Sequence, residues 1–263
     1  MNHVIESYQN YKEENRLTTR KARRIEFITS VRAMNELLPK NGKKLDCAAG
    51  TGIYSFYYAN KGYEVTALDI TPRHIDYIKC KLQDTDYNIT ADINDATDLS
   101  RFNDNSFDVV LCMGPMYHLI DKRDRDKCLK ECIRVLKKGG YLVVAYISRF
   151  YIYPHIAIED RKYRDSDLAK KIINTGTIKH DDPNCFWTDC YFAVPEELEQ
   201  DFKIYNVSVV DHLATDGLAP FVNDKFDDMD ENEFETWCEY HYSVCRERSI
   251  LGSSNHGLII GRK

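Results

Sequence analysis

The sequence predicts an α/β fold built on a doubly wound, mostly parallel sheet. Three observations carry this. Between residues 43 and 147, short apolar strand-like runs alternate with helix-like runs over short connections, the order that sets parallel strands side by side. The first apolar run, KKLDCAA, enters a turn holding Gly50 and Gly52 and passes into a helical pattern. The fifth, YLVVAYI, is apolar throughout, as a strand covered on both faces must be.

The elements follow in order. Residues 1–15 are polar and tyrosine-bearing and read as a mobile arm. From Thr19 to Leu38, Phe27, Val31, Met34 and Leu38 recur at helical spacing, and Pro39 and Gly42 end that helix. KKLDCAA is strand one, and Ile53 to Lys61 a helix stopped by Gly62. YEVTALDI is strand two. Thr71 caps the next helix, Pro72 opens it, and Ile75, Ile78 and Leu82 mark its buried face. YNITADI and FDVVLCMG are strands three and four. A helix over Lys122–Lys137 shows Leu129, Ile133 and Leu136 on one face, stopped by Gly139 and Gly140 before strand five. After Arg149 the pattern breaks, and residues 150–201 read as an irregular, aromatic insertion covering one end of the sheet. FKIYNVSVVDHL reads as a strand, Phe234, Trp237, Cys238, His241 and Cys245 share a helix face, and GLIIG closes the sheet. The organisation expected is an N-terminal arm and helix (1–39), a core (40–149), an insertion (150–201) and a C-terminal part of the core sheet (202–263).

Composition narrows the class. With 43% hydrophobic and 30% charged residues the balance is that of a soluble globular protein. No apolar run approaches the ~20 residues that span a bilayer. The N-terminus has no apolar core of a signal peptide, so a cytoplasmic protein without a membrane partner is expected. The nine cysteines form no C-x-x-C pair, and Cys47, Cys112, Cys128 and Cys132 fall in apolar periodic segments, so they read as reduced core residues and no metal is expected. Net charge is −6, whereas a nucleic-acid enzyme more often carries excess positive charge, so no nucleic-acid partner is expected. A basic run over residues 12–24 and an acidic run over 224–235 read as solvated helix faces or helix starts.

The glycine turn carries the chemistry. A glycine turn between strand and helix lets backbone approach a ligand closely, with helix N–H groups pointing at it. Asp69 ends strand two, 19 residues after Gly50, where an acidic residue bonds a ribose hydroxyl pair. Nicotinamide or flavin dinucleotides and S-adenosylmethionine both suit this arrangement. The dinucleotide fingerprint wants glycine or alanine where Ser55 stands.

Taken together, LDCAAGTG, Asp69 with Ile70, NDATDL, FDVVLCMGPMYHL and RVLKKGGYLVVA, in that order, resemble the class I S-adenosylmethionine-dependent methyltransferases over residues 40–147. The resemblance implies a Rossmann-like, seven-stranded sheet with a reversed last strand, and S-adenosyl-L-methionine as cofactor. It implies that Asp46 precedes a loop, Ala48, Gly50, Thr51 and Gly52, that meets the methionine part. It places Asp69 on the ribose, Ile70 beside the adenine, Asp95 and Ala96 near the adenine amine, and Met113 at the exit of strand four. Ala48 stands where the family usually has glycine. GPMYHL with FWTDCYFAVPEEL, and RLTTR with IEF, resemble a bacterial branch acting on small molecules, in which the N-terminal arm folds over the cofactor. That implies Tyr11 and Arg20 near the methionine carboxylate.

Methyl transfer from a sulfonium asks the protein for alignment, exclusion of water and, for some acceptors, removal of a proton. The loop after strand four lies at the carboxyl edge, so His118 and Tyr117 are the candidate catalytic residues, His118 for an ordinary pKa near ~6.5. Trp187, Tyr191 and Phe192 form a candidate aromatic wall over the acceptor. The reading expected is a methyltransferase, monomeric or homodimeric, with a small-molecule substrate. The alternatives are a non-catalytic module that binds the adenosyl cofactor and regulates a partner through the basic arm, and a nicotinamide-dependent oxidoreductase.

Overall fold

The computed structural model describes residues 2–263. Its strands are β1 (Lys43–Asp46), β2 (Glu64–Asp69), β3 (Ile89–Ile93), β4 (Phe107–Cys112), β5 (Leu136–Ile147), β6 (Thr177–Ile178), β7 (Cys190–Tyr191), β8 (Ser208–Ala214) and β9 (His256–Arg262). Seven of them form one sheet in the order β3-β2-β1-β4-β5-β9-β8, while β6 and β7 pair separately. The first five run parallel. The last strand, β9, runs antiparallel to both neighbours, the reversal expected from the sequence.

The helices are α1 (Asn2–Asn10), α2 (Lys21–Leu37), α3 (Ile53–Ala59), α4 (Pro72–Leu82), α5 (Lys122–Val135), α6 (Arg149–Glu159), α7 (Ser166–Thr175), α8 (Pro195–Ile204), α9 (Asn223–Asp227), α10 (Glu231–Val244) and α11 (Arg248–Leu251). They cover both faces of the sheet, because successive strand residues point to opposite sides. Val109, Leu111 and Val143 pack with Met34 of α2 and Tyr58 of α3. Val110, Cys112, Leu142 and Val144 pack with Leu129 of α5 and Phe202 of α8. On this second face the buried thiols meet, Cys112 with Cys128 at 3.7 Å and Cys47 with Cys132 at 3.9 Å.

Four parts of the chain differ from the sequence expectation. The N-terminal arm is a helix followed by a 3-10 turn (Glu13–Asn15) and docked on the sheet's carboxyl edge, with Val4 and Leu17 buried. Arg73 fastens it, donating to the Tyr11 carbonyl at 2.7 Å and to Glu14 at 3.0 Å. The helix before β5 ends at Val135, and Gly139 and Gly140 lie within β5 instead of stopping the helix. Residues 150–201 are largely helical rather than irregular. Helices α6 and α7 with the β6–β7 pair bury their own cluster around Ile152, Ile172 and Phe192. Helix α8 packs Leu198 and Phe202 into the main core, so its turns cover the sheet and the strand expected from Phe202 onward begins only at Ser208. Asn206, with φ +56, makes the turn between them.

The basic and acidic runs meet each other. Arg20 donates to Asp224 and Asp227 at 2.8 Å, Arg24 stands 3.8 Å from Glu231, and Lys21 bonds the Met229 carbonyl. They hold the start of α2 against α9 and α10, over a small apolar cluster of Ala22, Ile25, Phe226 and Phe234.

Candidate active site

The carboxyl ends of β1, β2 and β4 open into a cleft. Its floor is the glycine turn, Cys47 to Gly50. Asp69–Thr71 and Asn94–Ala96 line one side, Met113–Pro115 and Tyr117–Leu119 the other, and Val4, Tyr8, Glu13, Arg16 and Leu17 close it from the N-terminal segment. The turn is built by left-handed backbone at Gly50 (φ +55) and Gly52 (φ +85), a conformation that costs other residues. A Cβ on Gly52 would also lie 3.0 Å from Ile78 Cγ1. Ala48 is accommodated because it faces Gly114, where a Cβ would come within 3.0 Å of its methyl.

Asp69 lines the cleft and braces the turn. One carboxylate oxygen accepts from the Gly50 amide at 2.8 Å, the other from the Thr71 amide at 2.8 Å, with His74 Nδ1 at 3.2 Å. Burial pushes its pKa up, but the His74 interaction and the two amides outweigh burial and hold it below the usual carboxylate range. His74 keeps Nε2 buried and without a partner in the cleft wall, and the Tyr54 hydroxyl is in the same condition. Buried polar atoms are normally satisfied, so these two point to a ligand with hydrogen-bonding groups. Asp46 lies behind the turn, outside the cleft lining, accepting from Ser55 Oγ at 2.7 Å. Burial pushes its carboxyl up to about 7, against the Ser55 bond.

His118 is not the free base its ordinary pKa suggests. Its Nδ1 stands 3.2 Å from the Asp189 carbonyl and its Nε2 2.9 Å from the Tyr8 hydroxyl. A donor at Nδ1 leaves Nε2 to accept from Tyr8, the neutral tautomer. Burial lowers its pKa to about 4, in keeping with that state. The Tyr117 hydroxyl donates to the Met113 carbonyl at 3.3 Å.

A second cavity adjoins the cleft and shares Tyr8, Glu13, Arg16 and Tyr117 with it. Its far side is formed by α6, the Phe186–Trp187 segment, Asp216 and His256. Arg16 stands at the junction, giving Nε to Glu13 at 3.0 Å and both terminal nitrogens to Glu26 at 2.7 and 3.0 Å.

The other sequence candidates divide by position. Ala48, Gly50, Asp69, Ile70, Asp95, Ala96, Met113, Tyr117 and His118 line the cleft, whereas Thr51 and Gly52 do not. Tyr11 and Trp187 line the second cavity. Arg20 lines neither, because Asp224 and Asp227 hold it on the outside, and Arg16 is the arginine at the cleft. Phe192 is wholly buried inside the insertion, and Tyr191 lies under the Arg125 guanidinium beside a third cavity, so neither joins the aromatic wall. Sequence reading missed Tyr8, Arg16, His74, Asp216 and His256. Only His74 carried a local signal, one turn into the helix that follows Asp69.

Residues 45–144 match the family model described as a methyltransferase domain. A Bacillus subtilis (strain 168) protein, YqeM, whose own methyltransferase assignment is provisional, is 32% identical over 50% of this chain and 53% of its own. A demethylmenaquinone methyltransferase of Paenarthrobacter aurescens (strain TC1) is 39% identical over 40% of this chain and 39% of its own. The chain thus spans about half the length, or less, of these relatives. The crystal structure of a SAM-dependent methyltransferase from Methanosarcina mazei superposes with a TM-score of 0.60 at 21% identity, covering 88% of this chain and 96% of that one, a likeness of fold. The glycine turn and the strand-end aspartate lie inside the segment, residues 45–144, that matches the methyltransferase domain, and the sheet with its reversed last strand has the fold of the Methanosarcina mazei structure.

Proposed function

We propose that the protein is an enzyme that moves a methyl group from S-adenosyl-L-methionine, held in the cleft, to a small molecule held in the second cavity. One observation carries the reading: the two cavities adjoin and share Tyr8, Glu13, Arg16 and Tyr117. The cleft residues suit the cofactor. Asp69 and Ile70 would hold the sugar and base, Asp95 and Ala96 the amine edge of the adenine, and the turn with Arg16 the amino-acid end. His74 Nε2 and the Tyr54 hydroxyl, buried and without partners, offer further bonds. When bound, the cofactor supplies an electrophilic methyl carbon on a sulfonium. The chain's own residues align the acceptor, exclude water and receive any proton it must lose. Tyr8, fixed by His118, and Tyr117, fixed by Met113, set the wall between the chambers. The demethylmenaquinone relative acts, by its name, on a small molecule, which supports a small acceptor here. Among the described residues no helix is long and apolar enough to cross a membrane. We place the protein in the cytoplasm, without a nucleic-acid or membrane partner, as a monomer or homodimer.

Calorimetry with S-adenosylmethionine and S-adenosylhomocysteine tests the cofactor half, with micromolar binding expected for both. A screen of pooled metabolites, read as S-adenosylhomocysteine formed, tests the acceptor half. Binding without turnover on any pool would reduce the protein to a cofactor-binding module.

A further inference from the structure

The second cavity contains a carboxylate–imidazole pair. Asp216 is buried, and its carboxylate is held from three directions. Ser254 Oγ donates to Oδ1 at 2.8 Å and the His256 amide donates to the same oxygen at 2.9 Å, while Oδ2 stands 2.7 Å from His256 Nδ1. This grip orients the ring. His256 opens β9 opposite Ile147, the last residue of β5, so it sits on the same carboxyl edge as the cleft. His256 lines the cavity, and its Nε2 has no hydrogen-bond partner among the described residues. His118, by contrast, has both nitrogens engaged. His155, on α6, shares the second cavity but is lowered by burial and bonded to Tyr151.

The charges around the pair have a sign. Four carboxylates (Glu13, Glu26, Glu159, Asp216) face the second cavity against two guanidiniums (Arg16, Arg23), an excess of two negative charges, or one when His256 is protonated. The rings of Trp187, Phe186 and Tyr163 add apolar and cation-attracting surface. A cation with an apolar body is the complementary guest.

We propose that His256, held by Asp216, takes the proton of the methyl acceptor, and that this acceptor is a protonated amine carrying an apolar group. The proposal rests on the methyltransferase reading of the adjoining cleft. In the step, the N–H bond of the ammonium breaks with its electron pair left on nitrogen, the proton moves to His256 Nε2, and the imidazolium charge is held against Asp216. The freed pair makes the nitrogen nucleophilic. Burial alone would lower the His256 pKa; Glu26 and Asp216 outweigh it, with Arg16 opposing them, and raise it, which stabilises the imidazolium the step forms, while the step itself starts from the neutral ring and so is faster as pH rises through that pKa.

The test uses the full chain and two probes, phenethylamine and tyramine. S-adenosylhomocysteine binding is measured first, for the wild type and His256→Gln, and is expected to agree within about twofold, since His256 lines only the second cavity. Failure of the wild type to bind would overturn the cofactor reading and this proposal with it. With S-adenosylhomocysteine bound, carbon-13 histidine spectra are titrated with each amine. The His256 resonance, assigned by its loss in His256→Gln, is expected to move, and its pKa to fall because a cation has arrived beside it. Methylation, read as S-adenosylhomocysteine released, is expected for at least one amine. In His256→Gln its kcat should fall by about 100-fold or more, with KM within about threefold. Asp216→Asn should lower kcat as well and bring the His256 pKa down, with Glu26, 3.5 Å from Nδ1, still raising it. Cofactor binding without any response of the His256 resonance, amine binding without methylation, or unimpaired turnover by His256→Gln each overturns the proposal.

Discussion

At the scale of single residues, one arginine sits in a partly buried charge network and its near neighbour in the same basic run pairs at the surface. Arg16 neutralises Glu13 and Glu26 beneath the N-terminal segment, so Arg16→Met leaves both carboxylates uncompensated. A loss on the order of 3 kcal/mol is expected in urea denaturation. Arg20 pairs with Asp224 and Asp227, which are 96% and 50% exposed, so Arg20→Ala should cost less than about 1 kcal/mol in the same measurement. Asp46 and His118 make a second residue-scale prediction. His118, with its pKa lowered to about 4, binds fewer protons folded than unfolded between that value and its ordinary one, so it makes stability rise with pH across that window. Asp46, raised to about 7, binds more protons folded and works the other way from its ordinary value up to about 7. The two oppose each other in acid. Asp46→Asn should unmask a stability gain on the order of 2 kcal/mol between about pH 4 and 6.5, checked by chemical denaturation at each pH. Asp69→Ala should weaken S-adenosylhomocysteine binding by about 100-fold, because it removes both a cleft wall and the brace on the glycine turn.

At the scale of elements, legibility followed locality. Strands β1 to β5 and their helices were readable because each carries its own period, and the glycine turn because its two glycines and Asp69 are chemically singular. Helix α8 was not. Its FKI end joins YNVSVV into an apolar run that resembles a strand, and only Asn206 in left-handed backbone separates helix from strand. Helix α6 holds Pro154 and several β-branched residues, so propensity argues against a helix there; burial of Tyr151, Ile152 and Ile156 overrides it. Helix α7 did carry a signal, Asp165 accepting from the Asp167 and Leu168 amides as an N-cap. Arg16, Asp216 and His256 were invisible because what joins them is the packing of distant segments. The α8 assignment has a direct check. Phe202 is 1% exposed in the main core, so Phe202→Ala should cost about 3–5 kcal/mol in urea denaturation, whereas a residue of a loosely attached cap would cost far less.

At the scale of the whole molecule, the chain adds two covers to a compact sheet, residues 149–193 and 215–251, and both reach the second cavity. Three residues of the basic run, Arg20, Lys21 and Arg24, pair with the chain's own acidic run, which ties the start of α2 to the second cover. Because these pairs are largely exposed, raising salt should loosen that tie without unfolding the sheet, seen as faster amide exchange in α9 and α10 than in β4 and β5.

The helix at the N-terminus borders both chambers through one ring, Tyr8, which bonds His118, and the segment that follows it is tied to the body by the Arg73 guanidinium. The two chambers therefore share a wall that this segment contributes. Movement of that ring would alter the mouths of both chambers at once, which predicts that release from one is sensitive to occupancy of the other. Arg73→Ala should shorten the residence time of S-adenosylhomocysteine in stopped-flow chase experiments and leave the cleft's shape intact.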